Sequence, residues 1–295
     1  MTVYPNVKLN LGLRVLGKRP DGFHELETLF IPCDAFRDEL EIEPSAEFGI
    51  RVGGPAYRGW DPAGDLTARA WELLHGEYGI PPVKIRLVKN SPVGAGLGGG
   101  SADGAFALRA LSDMFSLDLL DSDLASLAAR LGSDCPFFIY DRPMFATGRG
   151  EVLEPFDIDL SGFRIEVAVP EGVAVSTREA YAGLDAELPA QGEGAPSDPV
   201  RGSAAHPSQP CGWAPPSNVA EGGTPLGGST FPLREVLGRP VSEWRELLTN
   251  DFERSVFPLH PEIARLKNDF YAKGATYAAM SGSGSAVFAL FPLNS

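Results

Sequence analysis

Lys8 and Asn10 alternate with apolar residues in Val7-Lys-Leu-Asn-Leu-Gly-Leu-Arg-Val15, and Asp134 lies in Leu131-Gly-Ser-Asp-Cys-Pro136. A carboxylate can accept the proton of a hydroxyl nucleophile. A lysine fixed beside it can orient it and offset negative charge, and the two together meet the needs of phosphoryl transfer. Taken alone, Lys8 reads equally as a solvated surface lysine and Asp134 as a turn or helix cap. The residues by themselves leave these readings open.

The stretch Asn90-Ser-Pro-Val-Gly-Ala-Gly-Leu-Gly-Gly-Gly-Ser-Ala-Asp103 says more. Glycine loses more conformational freedom on folding than any other residue, so such crowding points to a close backbone approach. Val83 to Asn90 alternates like a half-buried strand, and Ala105 to Leu111 reads as a helix. Strand, glycine loop and helix start together place backbone N–H groups around a phosphate. Three competing readings exist. The loop also matches the dinucleotide pattern G-x-G-x-x-G, but Asp121 and Asp123 sit at a helix start and not at the end of a following strand. A Walker loop would need a lysine after the glycines, and none is present. The plain reading is a flexible surface loop. A second glycine run, Met280-Ser-Gly-Ser-Gly-Ser285, reads either as a hairpin turn or as a loop that closes over phosphates.

The surrounding elements must position these residues. Val7, Leu9, Leu11, Leu13 and Val15 are expected on one face of a strand, with Lys8, Asn10, Gly12 and Arg14 on the other. The turn Arg19-Pro-Asp-Gly22 leads to a partner strand over 24–30, and a short strand is expected over 38–43. Asp65 or Thr67 caps a helix running to about His75. Helical patterns follow near 101–115 and 122–131, the second capped by Ser122 and stopped by Gly132. Phe137 to Tyr140 and Met144 to Ala146 read as strands. The character of the chain shifts near residue 155, which suggests domains over 1–155 and 156–295. A strand from Arg164, a helix from Pro261 to Lys273 and a strand over 286–291 belong to the second. Residues 186–230, crowded with Gly, Pro, Ser and Ala, are expected to form a long, core-poor and partly disordered insertion, with order returning around Trp244.

The 295 residues carry a formal net charge of −14. That balance argues against nonspecific nucleic-acid binding, which rests on phosphate neutralisation by Lys and Arg. Cys33, Cys135 and Cys211 are scattered, without metal-ligand spacing or a disulfide framework. No signal-like N-terminus and no apolar run of membrane-spanning length is present, so a cytoplasmic location without membrane or obligatory protein partner is expected.

Three motifs in order, 7–11, 92–102 and 280–285, resemble the galactokinase, homoserine kinase, mevalonate kinase and phosphomevalonate kinase (GHMP) superfamily. Arg19-Pro-Asp-Gly-Phe-His-Glu-Leu-Glu-Thr-Leu-Phe30, Leu131-Gly-Ser-Asp-Cys-Pro-Phe-Phe138 and Asn250-Asp-Phe-Glu253 narrow the resemblance to the 4-diphosphocytidyl-2-C-methyl-D-erythritol kinases within it. That resemblance implies a two-domain α+β fold with the active site in the interdomain cleft, and ATP with Mg²⁺ as the phosphoryl source. The acceptor it implies is the 2-hydroxyl of a cytidine-diphosphate-linked sugar alcohol. Lys8 and Asp134 match the catalytic pair. Pro92, Val93, Gly94, Ala95, Gly96, Leu97, Gly98, Gly99, Gly100, Ser101 and Ala102 match the ATP loop. Asp65 stands near the adenine, where the family often has asparagine. Asn10, His24, Thr177 and Tyr181 match substrate-side positions. Phe23 and Tyr181 would sandwich the cytosine, with His24 reading its polar edge. Gly282, Ser283 and Gly284 form the third, phosphate-proximal motif. No metal ligand is identified. Another superfamily kinase, such as homoserine kinase, and a non-catalytic sensor on the same fold are the alternatives. The Asp21-Gly-Phe-His24 element argues against the first and the retained Lys8 and Asp134 against the second.

Overall fold

The computed structural model describes residues 1–185 and 231–293. The expected insertion over 186–230 therefore lies outside the described residues. In chain order the first half holds β1 (Thr2–Val3), β2 (Val7–Lys18), β3 (His24–Cys33), β4 (Glu39–Pro44), β5 (Gly49–Gly53), α1 (Leu66–Tyr78) and β6 (Val83–Val88). Next come α2 (Gly99–Met114), α3 (Asp121–Leu131), α4 (Cys135–Tyr140), β7 (Met144–Thr147) and β8 (Val152–Pro155). The second half holds β9 (Phe163–Ala168), α5 (Thr177–Asp185), α6 (Leu233–Leu237), α7 (Trp244–Leu247), α8 (Phe252–Val256), α9 (Pro261–Ala272), β10 (Tyr277–Met280) and β11 (Val287–Pro292). No helix among the described residues is long and apolar enough to cross a membrane.

These strands form three sheets, ordered β1-β4-β6-β5, β2-β3-β7-β8 and β10-β11-β9. The first packs against α1 to α4 around Leu40, Ile42, Ile85, Leu87, Leu108 and Leu111. The hairpin β10–β11 serves two cores at once. Tyr277, Ala279, Phe288 and Leu290 face one, while Ala278, Met280, Val287 and Ala289 face the other, as the period of two requires. The first of these cores also takes Val7, Leu9 and Leu11 from β2, so apolar packing crosses from one half of the chain to the other. The expected division at 155/156 falls between β8 and β9.

Four local expectations need correction. The apolar residues of β2 do not share one face. Pairing runs Leu11↔Leu29 and then Leu13↔Thr28, so one extra residue bulges out at Gly12, which has φ +67. The bulge flips the parity, and Leu13 and Val15 join the α5, α8 and α9 core instead. A side chain at Gly12 would also strike Leu248 Cδ1 at 2.6 Å. Residues 137–140 are helical and not a strand. A wholly apolar run has no period to distinguish the two, and Pro136 at the first turn favours the helix. The second helix pattern begins at Asp121, where Asp123 accepts a hydrogen bond from the Leu120 backbone, so Ser122 is not its cap. Its Gly132 stop is present. Described structure also begins earlier than Trp244, with α6.

Candidate functional site

β2 is buried on both faces, and the polar side it hides carries Lys8 and Asn10. Lys8 Nζ donates to Asn10 Oδ1 at 2.6 Å, Asn10 Nδ2 donates to Thr28 Oγ1 at 3.0 Å, and Thr28 Oγ1 donates to the Gly12 carbonyl at 2.5 Å. This chain fixes the Asn10 amide and aims the ammonium. Lys8 Nζ lies 3.8 Å from Asp134 Oδ2 and 4.7 Å from the centroid of the Phe30 ring. Burial pushes the Lys8 ammonium below the usual lysine range, against the opposing pull of Asp134. Asp134 stands at the N-terminal cap position of α4, but its side chain makes no capping hydrogen bond. Its carboxylate is left to face Lys8, with its side chain 32% exposed.

The two glycine loops meet directly beside this pair. The Lys8 backbone N–H donates to the Leu97 carbonyl at 2.8 Å, tying β2 to the first loop. Ser281 Oγ donates to the Gly96 carbonyl at 3.1 Å, and Ala286 N to the Ala95 carbonyl at 3.0 Å. Gly96 and Gly98 have φ of +77 and +70. A Cβ on Gly96 would overlap the Ser281 carbonyl oxygen, and one on Gly98 would press on Lys8 Cγ and the Phe138 ring. The second loop is held from below: Asn250 Nδ2 donates to the carbonyls of Met280 and Gly282 at 2.7 and 2.8 Å, and Glu253 accepts from Met280 N. The first loop is anchored by a buried cluster in which Lys89 Nζ lies 2.5 Å from both Asp38 and Asp103. Burial pushes Lys89 down, but the two carboxylates outweigh it and hold the ammonium above its usual range.

Two cavities flank the loops and share Gly94, Gly96 and Gly98 in their walls. The larger, of about 1150 Å³, collects Lys8, Asn10, Phe23, His24, Asp134, Thr177, Tyr181, Gly282 and Ser283. The smaller, of about 410 Å³, is lined by Asp65 and by every residue from Pro92 to Ser101. Ala102 and Gly284 line neither; Ala102 is buried within α2. Asp65 caps α1 by accepting from Thr67 N at 2.9 Å, and its other oxygen accepts from Trp60 Nε1 at 3.2 Å. Thr177 and Ser283 hydroxyls share a hydrogen bond of 2.9 Å, which links α5 to the second loop.

The aromatic groups are arranged differently from the sandwich the sequence suggests. Tyr181 stacks on His24, with ring centroids 4.3 Å apart, and not on Phe23. Phe23 is 54% exposed, and the Arg149 guanidinium lies 4.7 Å from its ring centroid. Several lining residues carried no sequence signal. Lys18, Arg149, Glu151, Arg178 and Asp185 line the larger cavity, and Trp60, Lys89 and Asp103 the smaller. All but Asp103 lie at strand ends, in loops or on short helices; Asp103 sits in α2, at the end of the glycine stretch, where no motif assigned it a role. Among the described residues, no group of three His, Cys, Asp or Glu side chains is placed to hold a metal ion.

The chain is similar to known proteins in sequence and in fold. The sequence matches the GHMP kinases N terminal domain over residues 65–142 and the GHMP kinases C terminal domain over 233–295. The 4-diphosphocytidyl-2-C-methyl-D-erythritol kinase of Parabacteroides distasonis is 42% identical over 296 residues, covering 99% of this chain and 92% of that protein. The kinase of the same name from Bacteroides fragilis is 41% identical over 295 residues, with the same coverage. A crystal structure of 4-(cytidine 5'-diphospho)-2C-methyl-D-erythritol kinase superposes with a TM-score of 0.72 at 30% identity, over 98% of this chain and 90% of that one. Methanococcus jannaschii mevalonate kinase, at 13% identity and TM-score 0.65 over 100% of this chain and 91% of its own, shares the fold. The chain therefore belongs to the 4-diphosphocytidyl-2-C-methyl-D-erythritol kinase family of the GHMP kinases.

Proposed function

We propose that this chain transfers the γ-phosphoryl group of ATP to the 2-hydroxyl of 4-diphosphocytidyl-2-C-methyl-D-erythritol, on the non-mevalonate route to isoprenoid precursors. The observation that carries the reading is the Lys8–Asp134 pair, 3.8 Å apart, in a cavity bounded by both glycine loops. The smaller cavity takes the nucleotide and the larger one the acceptor, and the shared glycines mark where the phosphoryl group crosses. Asp134 accepts the hydroxyl proton as the new P–O bond forms. Lys8 orients Asp134 and offsets charge on the transferred group. Backbone N–H groups from Gly94 to Ser101, at the N-terminal end of α2, hold the ATP phosphates. The reaction is placed in the cytoplasm, an assignment that rests on the scattered cysteines and on ATP use.

Mg²⁺ fits this site as a companion of the nucleotide. Mg²⁺ keeps several waters and binds phosphate oxygens with few protein ligands, so one or two protein oxygens beside the phosphates would suffice. Ser101 is the one side-chain oxygen of the stretch 92–102, and it would serve such an ion. When bound, the ion neutralises phosphate charge. An ADP-release assay comparing the cytidylyl substrate with homoserine and mevalonate tests the reading. Turnover with homoserine or mevalonate but not with the cytidylyl substrate would overturn it.

A further inference from the structure

One face of α5 lines the larger cavity with Thr177, Arg178, Tyr181, Ala182 and Asp185, two neighbouring helical stripes with a spacing of four. Different parts of the cavity meet it along its length. At its start, the Thr177 hydroxyl shares a hydrogen bond of 2.9 Å with Ser283 of the second glycine loop. One turn on, Tyr181 stacks on His24, with ring planes 16° apart. A helix rises ~1.5 Å per residue, so Arg178 stands about 4.5 Å ahead of Tyr181 along the axis. Along α5 it therefore comes between the loop contact and the aromatic stack.

The other cations of this cavity already have carboxylates. Lys8 lies 3.8 Å from Asp134, Lys18 3.1 Å from Asp185 and Arg149 3.5 Å from Glu151. Arg178 has no such partner among the described residues. Its side chain is exposed, so it can meet an incoming anion without first giving up an ion pair. A guanidinium carries five N–H donors in a planar fork, which matches phosphate oxygens two at a time. An ammonium would offer only a point charge.

We propose that Arg178 is a specificity residue that binds the diphosphate joining the base to the sugar alcohol of the acceptor, so that the larger cavity prefers a nucleoside diphosphate to a bare nucleoside. The inference rests on the cytidylyl reading above. In that reading the acceptor hydroxyl lies at Asp134, beside the glycine loops, and the base lies at Tyr181. The diphosphate connects these two ends and passes the position that Arg178 holds between them. Lys8 is fixed beside Asp134 by its bond to Asn10 and serves the transferred group instead. A charge-assisted fork at a site open to water is worth about tenfold in affinity.

Two measurements on wild type, Arg178→Ala and Arg178→Lys test this; the lysine variant keeps the charge and loses the fork. Both changes fall on an exposed side chain and leave the cores untouched. The first measurement is inhibition by cytidine and by cytidine diphosphate, each in competition with the cytidylyl substrate. In Arg178→Ala the inhibition constant of the diphosphate should rise about tenfold, while that of cytidine and the KM for ATP stay unchanged. Arg178→Lys should fall between wild type and Arg178→Ala. The second is calorimetric binding of inorganic pyrophosphate with ADP filling the smaller cavity, which needs neither a base nor turnover. Pyrophosphate should bind wild type and lose about tenfold in affinity in Arg178→Ala. Equal weakening of cytidine and its diphosphate, pyrophosphate binding indifferent to residue 178, or a rise in KM confined to ATP would overturn the proposal. A wild type inactive on the cytidylyl substrate would instead remove the function proposed above, and the pyrophosphate measurement separates that failure from this one.

Discussion

Gly96→Ala tests whether the seam between the two glycine loops is a steric requirement. Gly96 has φ +77, and the three nearest neighbours of an added Cβ are the Ser281 carbonyl oxygen and the N and O atoms of Gly284. All are backbone atoms, so no side chain can rotate out of the way. The left-handed conformation alone costs an L-residue about 1–2 kcal/mol. Relieving the overlap means drawing the loops apart. That breaks the bonds from Ser281 Oγ to Gly96 O and from Ala286 N to Ala95 O. Each contributes about 1 kcal/mol net. The total is roughly 3–4 kcal/mol, a large fraction of ordinary domain stability. The thermal midpoint should drop by roughly 5–10 °C, and the KM for ATP should rise because the cradle opens. Gly100→Ala is the control. A Cβ there meets nothing within 4 Å and needs no positive φ. It should leave the melting temperature unchanged or slightly raised, since alanine is the better helix former. It should still raise the KM for ATP, because the methyl enters the smaller cavity where the phosphates are placed. A Gly96→Ala protein with wild-type melting temperature and wild-type KM for ATP would refute the reasoning.

Three other variants probe the site and its support. Asp134→Asn keeps the shape of the side chain but cannot take the hydroxyl proton, so kcat should fall by about 10²–10⁴ while ATP affinity measured by calorimetry is retained; near-normal turnover would remove Asp134 from the mechanism. Tyr181→Ala removes the ring stacked on His24, and the KM for the cytidylyl substrate should rise roughly ten- to a hundredfold with that for ATP unchanged; a rise confined to ATP would mean that the cavities have been assigned the wrong way round. Burial raises the Asp251 carboxyl to about 6, against the opposing effects of the Val15 hydrogen bond, Arg14 and Arg254. The fold therefore bears the cost of an ionised group above about pH 6, and that cost fades as pH falls toward the unfolded value of 3.8. Asp251→Asn should stabilise the protein at pH 7.5 by up to about 3 kcal/mol and lose that advantage near pH 4; an equal gain at both pH values would refute the linkage.

Much of this arrangement was legible in the residues, and the exceptions have physical causes. Alternation predicted β2 and β6, where apolar residues recur at every second position. Asp65, one of the two expected caps, starts α1 because its carboxylate satisfies the Thr67 N–H, but the helix runs past the expected end at His75 to Tyr78, where Gly79 takes the left-handed stop. The bulge at Gly12 was not legible, since a glycine inside an alternating strand does not announce which side gains the extra residue. The strand–helix error at 137–140 came from a run apolar at every position. The glycine loops were visible as composition, but the contact between them joins residues 96 and 281, a separation that no local pattern encodes. Asp185 was missed for the same reason: its partners Lys18 and His24 lie more than 150 residues earlier in the chain, as the separations of 167 and 161 show.

The charge of the chain sharpens what the site must do. At −14 overall, the protein does not attract ATP or a nucleoside diphosphate by its net field. At physiological ionic strength that field is screened beyond about 8 Å, so binding depends on what lies within a few ångströms of the phosphates. Two local sources remain. One is the backbone of the glycine loops, whose N–H groups carry no formal charge to be neutralised by the surrounding acids. The other is the set of cations in the larger cavity: Lys8, Lys18, Arg149 and Arg178. Lys8 faces Asp134, Lys18 bonds Asp185, and Arg149 pairs with Glu151, so three of the four are already balanced by a carboxylate. Such pairing keeps buried or half-buried cations charged and fixed in place. It also means that a polyanion entering the cavity meets directed donors more than bulk positive charge. Recognition then depends on geometry, which is why the seam glycines and the carboxylates that hold three of these cations are as necessary to this site as the cations themselves.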